Sequence, residues 1–200
     1  MKTIKNKTIV VDSCVLIYAG EERYHNKFSD LLKTFSDNGN KLIISTFSGF
    51  EVLKNIQEEK TTEYYLELLD SFNNSSVSND ILIYAAQLSR LYNQGKQLSP
   101  HSAENNKKDI AGDLIIGSTA IFHRALLLTA NKKDFSPDFW KVVSRDYAVY
   151  DYKDQYYLQN VYLLQFNTKK YPPSTWLSPH KVVRKNVKNP NKRTNKNPIK

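Results

Sequence analysis

The 200-residue chain contains one cysteine, Cys14, which rules out a disulfide framework and a cysteine-based zinc site. That scarcity favours a reducing, cytoplasmic compartment. No apolar run approaches about 18 residues, and no segment of signal-peptide length and apolarity follows residues 1–7. Neither a membrane span nor a signal peptide is expected, and so no membrane partner. The four histidines, His25, His101, His123 and His180, share no ligand spacing and read as incidental. There is no internal repeat. Acid is also missing from one whole region, since no Asp or Glu follows Asp154.

That last absence explains the charge. The net balance is +9, yet ten Lys or Arg lie beyond Asp154, leaving 19 bases against 20 acids in the rest. A positive tail on a near-neutral body points to a polyanion partner. Lys181, Arg184, Lys185, Lys188, Lys192 and Arg193 are the candidate nucleic-acid contacts. A solvated tail that only aids solubility is the plainer alternative. Tyr171-Pro172-Pro173 ends regular structure, and from Lys181 onward the composition predicts no fold without a partner. The chain therefore divides into a domain over residues 1–166 and a basic, flexible tail over 167–200.

Hydrophobic periodicity outlines the domain. Residues 8–11 and Leu42-Ile43-Ile44 read as buried strands, and Ala125 to Thr129 as a third. Ser13 to Tyr18 and about His25 to Ser36 look helical, with Phe28, Leu31, Leu32 and Phe35 on one face. Ser45 or Thr46 can cap a helix from about Phe47 to Glu59 that buries Phe50, Leu53 and Ile56 or Val52. Further helices are expected over 62–72, over 79–93 with Ser78 as cap, and over 109–124, after a polar loop at 95–108. Tyr147 to Tyr150 and Tyr162 to Leu164 are strand candidates. Strands alternating with helices predict βαβ units, a parallel sheet, and a ligand crevice at the carboxyl ends of the strands.

Four acids fall beside that crevice or face the core. Asp12 ends the first strand, Glu51 and Asp113 lie on helices, and Asp134 follows the third strand. Each abuts apolar residues, where an ionised carboxylate is costly unless paired or bound to a cation. Four together need a countercharge, which a hard divalent ion supplies. Ordinary roles are also open. Asp12 can act as an N-cap, Glu51 and Asp113 as solvated helical acids, and Asp134 as a turn cap, while Asp109 can replace Asp134. Cys14 reads as a small core residue.

Four segments resemble the PIN-domain nucleases, a family that includes the VapC-like toxins of toxin–antitoxin pairs. Residues 10–17 look like the opening strand and metal aspartate, and Phe50-Glu51-Val52-Leu53 like the second acidic motif. Residues 113–120 are similar to the family's Asp-x-Leu-Ile-Ala-Ala-x-Ala helix, with Gly117 and Ser118 in place of alanines. Residues 127–135 are close to its Leu-x-Thr-x-Asn-x-x-Asp-Phe segment. The resemblance covers about residues 8–150. It implies an α/β fold with a PIN-like twisted parallel sheet flanked by helices, to which the basic C-terminal extension is added.

The resemblance also implies an endoribonuclease dependent on Mg²⁺ or Mn²⁺, leaving 5′-phosphate and 3′-hydroxyl ends. Asp12, Glu51, Asp113 and Asp134 would be the catalytic metal ligands, with Ser13, Thr129 and Asn131 supporting them. RNA is the expected substrate, an antitoxin protein an expected partner, and a catalytically silent PIN-like scaffold the alternative. A phosphatase using Asp12 fits less well, because Cys14 stands where a second Asp is wanted. Surplus apolar residues in the middle helices, namely Tyr64, Tyr65, Leu68, Leu69, Leu82 and Tyr84, predict a homodimer.

Overall fold

Three β-branched residues, Ile9, Val10 and Val11, are fully buried and form the centre of the molecule. They belong to β1 (Thr8–Val11). The computed structural model describes residues 4–24, 26–54, 56, 58–97, 111–153 and 155–175. After β1 come α1 (Ser13–Gly20), α2 (Lys27–Asp37), β2 (Lys41–Ser45), α3 (Thr46–Leu53), α4 (Glu59–Asp70), β3 (Asn73–Ser75) and α5 (Asn79–Gln97). Then follow α6 (Ala111–Phe122), β4 (Leu126–Thr129), β5 (Trp140–Tyr152) and β6 (Gln155–Phe166). The sheet order is β3-β2-β1-β4-β6-β5.

Strands β1 to β4 pair in parallel, as the alternation of elements required. The sheet is nevertheless mixed, because β6 joins β4 antiparallel and β5 joins β6 antiparallel at the edge. Successive side chains of β1 go to opposite faces. Ile9 and Val11 enter a core with Leu16, Phe28, Val52, Tyr65 and Leu69, covered by α1 to α4. Val10 enters a second core with Leu88, Ile116, Leu127 and Trp140, covered by α5 and α6. Gly117, an alanine position in the resemblance, lets α6 sit close. A Cβ there would lie 3.1 Å from Trp140 Cζ2.

Several expectations shift. The helix expected over 47–59 stops at Leu53, and a separate α4 begins at Glu59. Phe50 is exposed rather than buried, because the inward face of the short α3 is carried by Ser48 and Val52. The strand β3 is polar, which hid it from a periodicity reading; Asn73 Nδ2 ties it to the Leu42 carbonyl at 3.1 Å. Tyr65 and Leu69, counted toward a dimer face, are buried in this chain, whereas Tyr64, Leu66 and Leu82 are exposed. Both caps hold, with Ser45 accepting from the Phe47 amide and Ser78 from the Ile81 amide. Past β6, Tyr171 still packs on Phe139. Among the described residues no helix is long and apolar enough to cross a membrane. Residues 176–200, with all six candidate tail contacts, lie outside the described residues, as do Asp109, His25, His101 and His180. His123 sits with its ring nitrogen 2.8 Å from Ser75 Oγ, tying the end of α6 to β3.

Register decides what stands at the carboxyl edge. Thr129, the last residue of β4, pairs with Tyr162. Strand β6 runs antiparallel, so its residues before Tyr162 extend past the end of β4. They stay paired with β5 down to Tyr152 and Gln155. The two strands thus form an arm that projects from the same edge as the crevice.

Candidate active site

Asp12 follows β1 directly and occupies the N-cap position of α1 with extended backbone (φ −72°, ψ 146°). It does not serve as a cap, since its side chain makes no capping hydrogen bond. Three neighbouring side chains hold it instead. Thr129 Oγ1 donates to Oδ2 at 2.6 Å, Cys14 Sγ donates to Oδ2 at 3.2 Å, and Ser13 Oγ lies 3.2 Å from Oδ1. Only 2% of Asp12 is exposed. Burial therefore pushes its carboxyl up from the ordinary range, against the pull of the bonds from Thr129, Cys14 and Ser13 and a lesser pull from the Cys14 backbone.

Cys14 is more than a small core residue. Burial, and then the charge of Asp12, push its thiol well up, so it remains a protonated donor. Its sulfur also accepts from the Ala130 amide at 3.3 Å, which joins the start of α1 to the end of β4. A cysteine at the second helical position after a buried aspartate was the available signal, read too plainly from the sequence.

Ser13 links the first acid to the second. Its Oγ donates to Glu51 Oε2 at 2.7 Å, placing half-buried Glu51 across the crevice from Asp12. Thr129 opens a second link, because its hydroxyl accepts from the Asn131 amide at 2.9 Å. Asn131 Nδ2 in turn donates to Asp134 Oδ2. A chain of neighbouring polar groups thus runs from Glu51 past Ser13 to Asp12, and hydrogen bonds continue it through Thr129 and Asn131 to Asp134.

Asp113 approaches from α6. The preceding Gly112 explains how closely, since a Cβ there would lie 2.7 Å from Glu51 Oε1 and 2.8 Å from Phe47 Cε1. Only hydrogen lets the first turn of α6 meet Glu51. On the other side stands Tyr92, whose hydroxyl accepts from Trp140 Nε1 at 3.0 Å. Its phenol is pushed up chiefly by burial, with further contributions from the charges of Asp113 and Asp134. Both acids therefore lie within electrostatic reach of one ring.

The donor set suits a hard divalent cation. Ser13 has a single hydroxyl proton between two carboxylate oxygens and can serve one at a time. The shorter distance goes to Glu51, so the two acids compete for one proton. Among the described residues no three His, Cys, Asp or Glu side chains close around one point. Mg²⁺ does not require such a cage, because it keeps several waters and takes only one or two protein carboxylates.

A search of curated proteins gives no match. Among solved structures, the fold is similar to the crystal structure of VapBC2 from Rickettsia felis bound to a DNA fragment from their promoter. The identity is 21%, the TM-score 0.50, and the match covers 64% of this chain and 90% of that one. A toxin–antitoxin complex from Klebsiella pneumoniae matches at 24% identity and a TM-score of 0.47, with the same coverage. At these identities the likeness concerns the fold. The PIN domain family model matches residues 9–136, from the first buried strand to just past Asp134. The chain belongs to the PIN domain family, whose members are generally nucleases.

Proposed function

We propose that this protein is an endoribonuclease dependent on Mg²⁺ or Mn²⁺, with Asp12, Glu51, Asp113 and Asp134 as its metal-binding acids. The observation that carries the reading is Asp12, a buried carboxylate held by hydroxyl and thiol donors, with Glu51 competing for the Ser13 hydroxyl beside it. Such a group is expensive in a structure built only for stability. When bound there, the ion would lower the pKa of a water and relieve charge on the phosphoryl group.

The remaining work belongs to the chain. Thr129 fixes the Asp12 carboxylate in one orientation by donating to Oδ2. Asn131 holds Asp134 in the same way. Ser13 keeps Glu51 and Asp12 on opposite sides of one hydroxyl. Gly112 admits Glu51 against α6. The basic residues beyond Lys181 supply long-range attraction for the RNA backbone. A protein antitoxin, a cytoplasmic setting and a homodimer belong to the same proposal. The antitoxin rests on the fold shared with the toxin–antitoxin complex from Rickettsia felis.

The test is cleavage of labelled RNA in Mn²⁺ by wild type, Asp12→Asn and Asp113→Asn. The wild type should cut and the variants should not. A folded wild type that leaves RNA intact in both Mg²⁺ and Mn²⁺ would instead favour the silent scaffold.

A further inference from the structure

The β5–β6 arm lies beyond the segment matched by the family, and the acidic crevice gives it no task. One of its faces is occupied. Ala148, Val161 and Leu163 join the core, and Tyr150 packs between Tyr24 and Tyr157. Directly opposed residues of an antiparallel pair share a face. Register therefore puts Arg145 with Tyr162, Tyr147 with Asn160, and Val149 with Leu158 on the other face, ending at Tyr156. Among the described residues that face stays open, with Tyr147 55%, Val149 48%, Leu158 61% and Tyr156 82% exposed. At the crevice end, Tyr162 sits between two cations, with Lys132 Nζ 5.6 Å and Arg145 Cζ 5.7 Å from its ring centroid. Lys132 follows Asn131 in the crevice itself.

We propose that this face of the arm is a stacking platform that leads single-stranded RNA into the acidic crevice; the RNA destination rests on the nuclease reading above. Unpaired bases offer apolar π-faces, and exposed tyrosines bind them whatever the base. Phosphates need positive charge as they near a carboxylate-lined site, and Lys132 and Arg145 stand at that point. A duplex hides its base faces, so the platform selects single strands. A wholly aliphatic patch would suit a protein partner, whereas here the exposed rings of Tyr147 and Tyr156 stand with Val149 and Leu158, and the face ends, on the crevice side, at the cation-flanked ring of Tyr162. The platform also adjoins the crevice, because Tyr162 pairs with Thr129, the residue that holds Asp12.

The test uses the full chain in EDTA, with a 12-nucleotide single strand and its duplex as probes in anisotropy titrations. Stacking on one ring is worth about 1–3 kcal/mol, or roughly fivefold to a hundredfold in Kd. Tyr147→Ala combined with Tyr156→Ala should weaken single-strand binding at least tenfold and leave the duplex unchanged. The corresponding Tyr→Phe pair should bind as wild type. With Mn²⁺ present, KM for the strand should rise in the alanine pair while kcat holds. Unchanged single-strand affinity in the alanine pair overturns the platform, as does an equal loss for the duplex. A fall from dimeric to monomeric mass in that pair, with RNA binding intact, overturns it in favour of a second copy as occupant. If RNA is never cut but binding follows the rings, the nuclease reading falls and the platform stands.

Discussion

Asp12 and Tyr156 depart from the same edge of the sheet and break the usual rule of burial in opposite directions. One is a carboxylate sealed from water, and the other an aromatic ring almost wholly in it. Around Asp12 the chain encloses polar groups, namely Ser13, Ser45, Thr129 and the Asp12 carboxylate. Along the arm it leaves tyrosine, valine and leucine uncovered. Both arrangements cost stability relative to a chain free of function. They ask for different things. The crevice asks for positive charge at one point, and the arm for extended apolar surface.

The comparison can be broken by experiment. The largest effect is expected from Asp12→Asn or Asp113→Asn. Loss of a metal-binding acid forfeits several kcal/mol of transition-state stabilisation, on the order of 10³-fold in kcat/KM. RNA cleavage by either variant near the wild-type rate, with ordinary metal dependence, would remove that residue from the site. Next comes Thr129→Val, which keeps the shape but deletes the donor to Asp12. It should lower activity or metal affinity about 10–100-fold, with the fold retained by circular dichroism. Gly112→Ala should follow, at about tenfold in activity, since the first turn of α6 must retreat from Glu51. A crystal structure of the variant with the separation of α6 and Glu51 unchanged would refute that account.

The smaller effects concern stability. Burial raises the Asp12 pKa above its unfolded value. Its contribution is therefore most favourable below about pH 3.9 and is lost as pH rises through the folded pKa. In EDTA, Asp12→Asn should melt higher than wild type near neutral pH, by about 2–4 °C for each kcal/mol relieved. That advantage should shrink as pH falls toward 4, and calorimetry across this range checks it. On the arm, Leu158→Gln should alter stability by no more than about 0.5 kcal/mol, because the side chain covers nothing. A large loss in urea denaturation would show that the arm is packed after all.

Much of this contrast could be read from the chain. Ile9 to Val11 announced a buried strand, and the acids at 12, 51, 113 and 134 pointed to a candidate site, because carboxylates set against apolar residues are costly without a partner. Helix α6 and strand β4 emerged for the same reason. The polar β3 did not, since Asn73 to Ser75 earn their place by backbone pairing rather than side-chain burial. Phe50 misled because an aromatic in a helical pattern reads as core, and only the early stop of α3 turns it outward. The roles of Cys14 and Gly112 depended on partners at positions 130 and 51, which no local pattern contains. The arm was visible as two strand candidates, but its projection depends on one register, Thr129 against Tyr162.

The hydrogen bond between Thr129 and Asp12 joins residues 117 apart in sequence. During synthesis Asp12 emerges first, and the strand that orients it is made only after helices α1 to α6. At about 5–20 residues per second, several seconds separate the two. A nascent chain cannot bring these groups together until β4 has left the ribosome and slotted in beside β1. The candidate site is thereby completed only late in synthesis.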